Sequence, residues 1–151
     1  MRVADLVGPE DALDFCDCHR IALAAPITSI AAWDRMTRGP APLLKAAFWL
    51  RDTISAPFGV RKSGGFAGRR GADPRVGEML DFFLIERLED DILSLTARDS
   101  HLDVMACLTL TGTEAAITTS VITHNRFGRA YMLPVGIAHP FVVRAMLRRL
   151  A

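Results

Sequence analysis

The chain predicts an α+β fold: an antiparallel sheet wrapped on a long C-terminal helix, with two short helices after the first strand. Three observations carry this. Alternating apolar and polar residues mark one strand near the N-terminus and four more in close succession after residue 78. The links between those later strands are short enough for hairpins. Beyond the last strand the spacing turns helical and stays so to the end of the chain.

The first strand is expected over 13–23 (LDFCDCHRIAL), ending before Pro26. Thr28 or Ser29 can cap a short helix that runs to about Arg38, where Gly39 and Pro40 break it. A second helix fits 42–56, with Pro42 in its first turn and Leu43, Leu44, Ala47, Phe48 and Ile54 along one stripe. Residues 61–77 (RKSGGFAGRRGADPRVG) hold five glycines and five basic residues and read as a long loop. Strands follow at about 79–87, 91–98, 101–110 and 114–123, turning at 89–91, 99–100 and 111–113. The closing helix, about 126–150, should be interrupted or kinked around Pro134 and Pro140.

At 151 residues the chain is expected to form one domain spanning 1–151, with a core of its own. A net charge of +1 argues against a general nucleic-acid binder. No export signal is visible at the N-terminus. The longest uncharged runs, 21–33 and 130–143, are shorter than the roughly 20 residues of a membrane span. A cytoplasmic protein with no membrane span is the expectation. Cys16, Cys18 and Cys107 form no disulfide framework, and Cys16, Cys18 and His19 lack the paired spacing of a zinc site, so no metal is expected. The glycine-rich loop matches neither a Walker motif nor a dinucleotide fingerprint, and no cofactor is expected.

The stretches SHLDVMACL (100–108), THNRFGRAY (123–131) and HPFVVRAMLRRL (139–150), with AFWLRDTISAPFGV (47–60), resemble the bacterial proteins grouped as domain of unknown function 2867. The resemblance covers roughly 10–150. The element order of that family looks like the helix-grip fold of Bet v 1-like, START and polyketide-cyclase proteins. That resemblance implies a cavity for a small hydrophobic molecule, or in some members a cyclase or dehydratase, and it supplies no catalytic residues.

The polar residues can be placed by register. If the hairpin over 101–123 is centred on Gly112, facing residues sum to about 224, which sets His101 opposite Thr123 and Asp103 opposite Val121. The even face, Leu102, Val104, Ala106, Leu108, Leu110 and Ile122, is the more apolar and should be the core. His124 would then point inward, and His101 and Asp103 outward. The candidate catalytic residues are therefore His124, His101 and Asp103, types suited to proton transfer near neutral pH. Asn125, Arg126, Tyr131, Met105 and Phe83 are the candidate ligand-binding residues. In the stretch ITHNRFGRAY, Asn125 is a favoured helix cap and Gly128 lets the helix pass close to the sheet. The leading expectation is a module binding a small, largely hydrophobic ligand between sheet and helix. The alternatives are a cyclase- or dehydratase-type enzyme and a homodimer joined through Met105, Cys107, Ile117 and Val121.

Overall fold

The computed structural model describes residues 3–38, 74–80 and 83–151. The helix expected over 42–56 and the loop residues 61–73 lie outside them. Six strands are present among the described residues: β1 (Phe15–Ala22), β2 (Met79–Leu80), β3 (Phe83–Glu89), β4 (Ile92–Arg98), β5 (Leu102–Leu110) and β6 (Glu114–Thr123). They form one antiparallel sheet in the order β1-β6-β5-β4-β3-β2. The helices are α1 (Ser29–Thr37) and α2 (Arg126–Leu147), the latter ending in a 3-10 turn over Arg148–Leu150. The architecture is the expected α+β one, an antiparallel sheet closed by a long C-terminal helix. The strand expected over 79–87 is in fact two, β2 and β3, paired to each other.

Hairpin chemistry sets the sheet. The β5–β6 link is a two-residue turn, Gly112-Thr113, because Thr111 N–H donates to the Glu114 carbonyl and Leu110 faces Ala115. Facing residues therefore sum to one more than a turn centred on Gly112 would give. Leu102 lies opposite Thr123, Asp103 opposite Ile122, and Val104 opposite Val121. In β3 the alternation of FLIERLE fails at Glu86, and the register shifts there between Ile85 and Arg87. The bulge lets Ile85 and Leu88 both reach the core while Glu86 and Arg87 stay outside.

The inner face of the sheet packs on both helices. Ile85, Leu93, Leu95, Leu108 and Ile117 meet Trp33 and Met36 of α1 and Val143, Met146 and Leu147 of α2 in one buried cluster. A second, smaller cluster, Leu102, Val121 and Tyr131 with Phe15, Phe127, Met132 and Val135, lies under the first half of α2. Burying one such apolar side chain contributes about 2 kcal/mol. Arg149 donates to the carbonyls of Met36 and Arg38, tying the C-terminal end of α1 to the last turn of the chain.

The outer face is crossed by the N-terminal segment. Asp5 accepts from the Ser94 hydroxyl at 2.6 Å, Asp5 N–H approaches Cys107 Sγ at 3.3 Å, and Val7 N–H donates to the Ser120 hydroxyl. Burial pushes the Cys107 thiol pKa up. Asp14 fastens β1 to β6: the Thr123 N–H and hydroxyl donate to its carboxylate at 2.7 and 2.9 Å and hold its pKa below the usual range.

The α2 helix runs through both prolines without a break, against the expected interruption. Pro134 frees the Ala130 carbonyl from its helical donor, and both residues are on the exposed side, where water can serve that carbonyl. At its start, the Asn125 side chain accepts from Gly128 N–H at 2.9 Å, the expected cap. His124 N–H donates to the His101 carbonyl at 2.9 Å, and a Cβ on Gly128 would stand 2.1 Å from that same oxygen. The close approach is backbone against backbone and cannot relax by a rotamer change. Gly128→Ala is therefore expected to destabilise the protein by about 3 kcal/mol, and Asn125→Ala by about 1 kcal/mol. Urea denaturation of both variants checks this, and equal midpoints for Gly128→Ala and the parent protein would contradict the packing account.

Candidate functional site

The chain has four histidines, and the structure separates them into three environments. His124 lies on the outer face, half exposed, with Nε2 3.1 Å from Asp103 Oδ1. Arg98 holds the other oxygen of Asp103 at 3.0 Å and reaches Glu86 at 3.5 Å, and Glu86 accepts from the Thr96 hydroxyl at 2.8 Å. This is a polar ladder on the solvent side that runs from the residue after β6 across β5, β4 and β3, so the inward orientation expected of His124 is corrected. The one-residue change of register is the cause, because adjacent positions on a strand face opposite ways.

His101 is also reversed. It was expected outward with Asp103, yet it is 1% exposed, packed against Phe127 and Tyr131 with ring centroids 5.1 and 5.0 Å away. Residues 99–101 form a turn rather than strand, with Asp99 N–H donating to the Leu102 carbonyl, so strand alternation does not govern His101. Asp103 does point outward as expected, and its partner is His124.

The remaining expected residues are dispersed. Asn125 is the helix cap, and Arg126 follows it, exposed. Tyr131 is buried beside His101. Met105 is buried on the outer face of the sheet, and Phe83 packs edge-on to Trp33 at the other end of the core. The apolar surface expected from Met105, Cys107, Ile117 and Val121 is likewise not open. All four are buried, Ile117 and Val121 against the helices and Cys107 beside Asp5.

A cluster of titratable side chains converges elsewhere, on the seam between β1 and α2. Asp17 and His19 are two apart on β1 and share the inner face, where Thr119 of β6 stands directly opposite Asp17. His139 reaches them from α2. His19 Nε2 lies 3.0 Å from Asp17 Oδ2, and His139 Nε2 lies 3.3 Å from Asp17 Oδ1 and 3.1 Å from Thr119 Oγ1. One carboxylate thus holds two imidazoles, one on each oxygen. All three side chains are about four-fifths buried. Phe15 closes one side, its ring edge-on to His139 at 5.6 Å.

The electrostatics follow from that geometry. Burial pushes the Asp17 pKa up, but hydrogen bonds and charge from His139 and then His19 outweigh it, and the net value lies below the ordinary carboxylate range. His19 turns Nε2 to the carboxylate and His139 turns Nε2 to Thr119 Oγ1 and the carboxylate together, so exchange with a bound molecule would pass through Nδ1. A carboxylate that orients an imidazole is the arrangement general acid–base chemistry uses. Among the described residues, no group of three or more His, Cys, Asp or Glu is disposed to hold a metal ion. Cys16 and Cys18 are exposed on the opposite side of β1.

Sequence reasoning passed over Asp17 and His139. The D-C-H spacing, Asp17 and His19 on one face of an expected strand, was the signal available for half of the cluster. Nothing local announced His139, which is brought in by the docking of a helix some 120 residues along the chain.

Sheet, helix and seam together define an α+β protein of helix-grip-like architecture. The chain belongs to the family described as protein of unknown function (DUF2867), which matches residues 10–146. No curated protein and no solved structure matches it.

The pH dependence of stability should report the cluster. A carboxyl whose folded pKa lies below its unfolded value contributes stability that is complete above the unfolded value, about 4 for Asp. That contribution is lost as pH falls through the lowered folded value. Asp17→Asn is expected to cost about 1–2 kcal/mol near neutral pH, with the difference from the parent shrinking as pH drops below the ordinary Asp range. Urea midpoints of both proteins across that range measure it, and a difference independent of pH would contradict the pairing.

Proposed function

We propose that the protein binds a small, largely hydrophobic molecule between sheet and C-terminal helix, and that its polar end is held by Asp17, His19, His139 and Thr119. The observation that carries this reading is the approach of two histidines to one mostly buried carboxylate, with Thr119 beside them, next to an apolar cluster. Ionisable groups cost several kcal/mol to bury, by order of magnitude, and packing alone gives no reason to place three there. Phe15 links the two parts, since it touches His139 and belongs to the apolar cluster with Leu102, Val121 and Tyr131. A molecule with an apolar body and one hydrogen-bonding group suits such a lining. The cytoplasm is the compartment in which we place this activity.

The same bonding favours a second reading, an enzyme in which His139 or His19 moves a proton in a cyclisation or dehydration. Asp17 would orient the ring for that transfer. His124 with Asp103 also makes a His–carboxylate pair, but on the solvent side of the sheet and away from the apolar clusters.

Native mass spectrometry with a panel of long-chain carboxylic acids, sterols and polycyclic phenols separates these readings from a purely structural role. Retention of at least one class, weakened about tenfold in His139→Gln and unchanged in His124→Ala, is expected. No retention and no thermal shift with any class would refute ligand binding. Turnover with a bell-shaped pH profile that His139→Gln abolishes would establish the enzyme.

A further inference from the structure

Leu133, Ile137 and Phe141 follow one another at intervals of four on α2 and are 71%, 72% and 61% exposed. At 3.6 residues per turn they form a single ridge about 12 Å long. Arg126 and Arg129 stand at one end of the same side, and Arg144 and Arg148 at the other, all exposed. The whole stretch from Arg126 to Leu150 contains no Asp or Glu, in a chain whose net charge is only +1. Three large apolar side chains in water and a one-signed charge at both ends need a common explanation.

We propose that this ridge is a peripheral membrane-binding surface: Leu133, Ile137 and Phe141 enter the acyl boundary of an anionic bilayer, and the four arginines meet its phosphates. An apolar stripe framed by basic residues is the composition of helices that lie in the lipid interface. The ridge is convex and belongs to one helix, so it inserts into a soft surface more readily than it seats in a protein groove. A second copy of the chain is the wrong partner. An antiparallel two-fold pairing sets Arg126 and Arg129 against Arg144 and Arg148, and a parallel one sets each arginine against itself, with no acid on the helix to relieve either.

The helix spanning 126–150 is long and apolar enough, by length and composition, to cross a membrane. Its inner side, however, is committed to the sheet through Tyr131, Val143, Met146 and Leu147. Lipid therefore meets the outer ridge alone, and the helix lies along the surface. The inference is independent of any ligand at the Asp17 seam, which is on the opposite side of α2.

Co-sedimentation of the full chain with vesicles tests it, using phosphatidylcholine alone and phosphatidylcholine mixed with phosphatidylglycerol. Binding is expected to the anionic vesicles, to weaken with salt, and to fall about fivefold for each arginine replaced, as in Arg144→Gln with Arg148→Gln. Ile137→Glu with Phe141→Glu should abolish it while leaving the circular dichroism spectrum unchanged. Absence of binding to anionic vesicles, or binding that the double glutamate variant retains, would overturn the proposal. So would a dimer in sedimentation velocity that this variant converts to monomer, since the ridge would then be a protein interface.

Discussion

The pairing of β5 with β6 through the two-residue turn Gly112-Thr113 determines the placement of most of what matters in this protein. It puts Leu102, Val104 and Leu108 on the same side as Val121 and Ile117, and both helices close over that side. The neighbouring strand β1 inherits its orientation from β6. With Asp17 opposite Thr119 and Phe15 opposite Val121, the polar cluster and its apolar neighbour follow from the same register. A slip of one residue would carry Asp17, His19 and Thr119 to the other face and leave His139 facing none of them.

The second constraint is the junction where β6 becomes α2. His101, Asn125 and Gly128 act there through their backbones as much as their side chains: a carbonyl accepting from His124, a cap on the first turn, and a missing Cβ. They fix where α2 begins and how near it lies. Eleven residues beyond Gly128, that placement delivers His139 onto Asp17. The two faces of α2 then divide the labour, one packed on the sheet and the other presenting the apolar ridge and its arginines.

The elements were legible from the chain. Strand alternation gave β1, β4, β5 and β6 to within a residue or two, and the helical spacing found α1 and α2. Asn125 as a cap and Gly128 as a close-packing position could be read directly, because caps and glycines act within a few residues of themselves. The split of 79–87 into β2 and β3 was not legible, nor was the passage of α2 through two prolines. Both depend on what lies beside the segment: a partner strand in one case, and an exposed side with a packed opposite face in the other.

For the site, the types of residue were legible and their grouping was not. A histidine–carboxylate pair near the end of β6 was foreseeable, yet which histidine meets Asp103 depended on one residue in a turn. The sequence by itself determined the fold class, the core face of β5 and the strand-to-helix joint, since periodicity, hairpin length and capping are local properties. Only the tertiary structure decided that Asp17, His19, Thr119 and His139 meet, and that His101 turns under Tyr131. Apart from Asp17 with His19, those contacts join positions 20 to more than 100 residues apart, and their existence rests on register and helix docking, which no local pattern encodes.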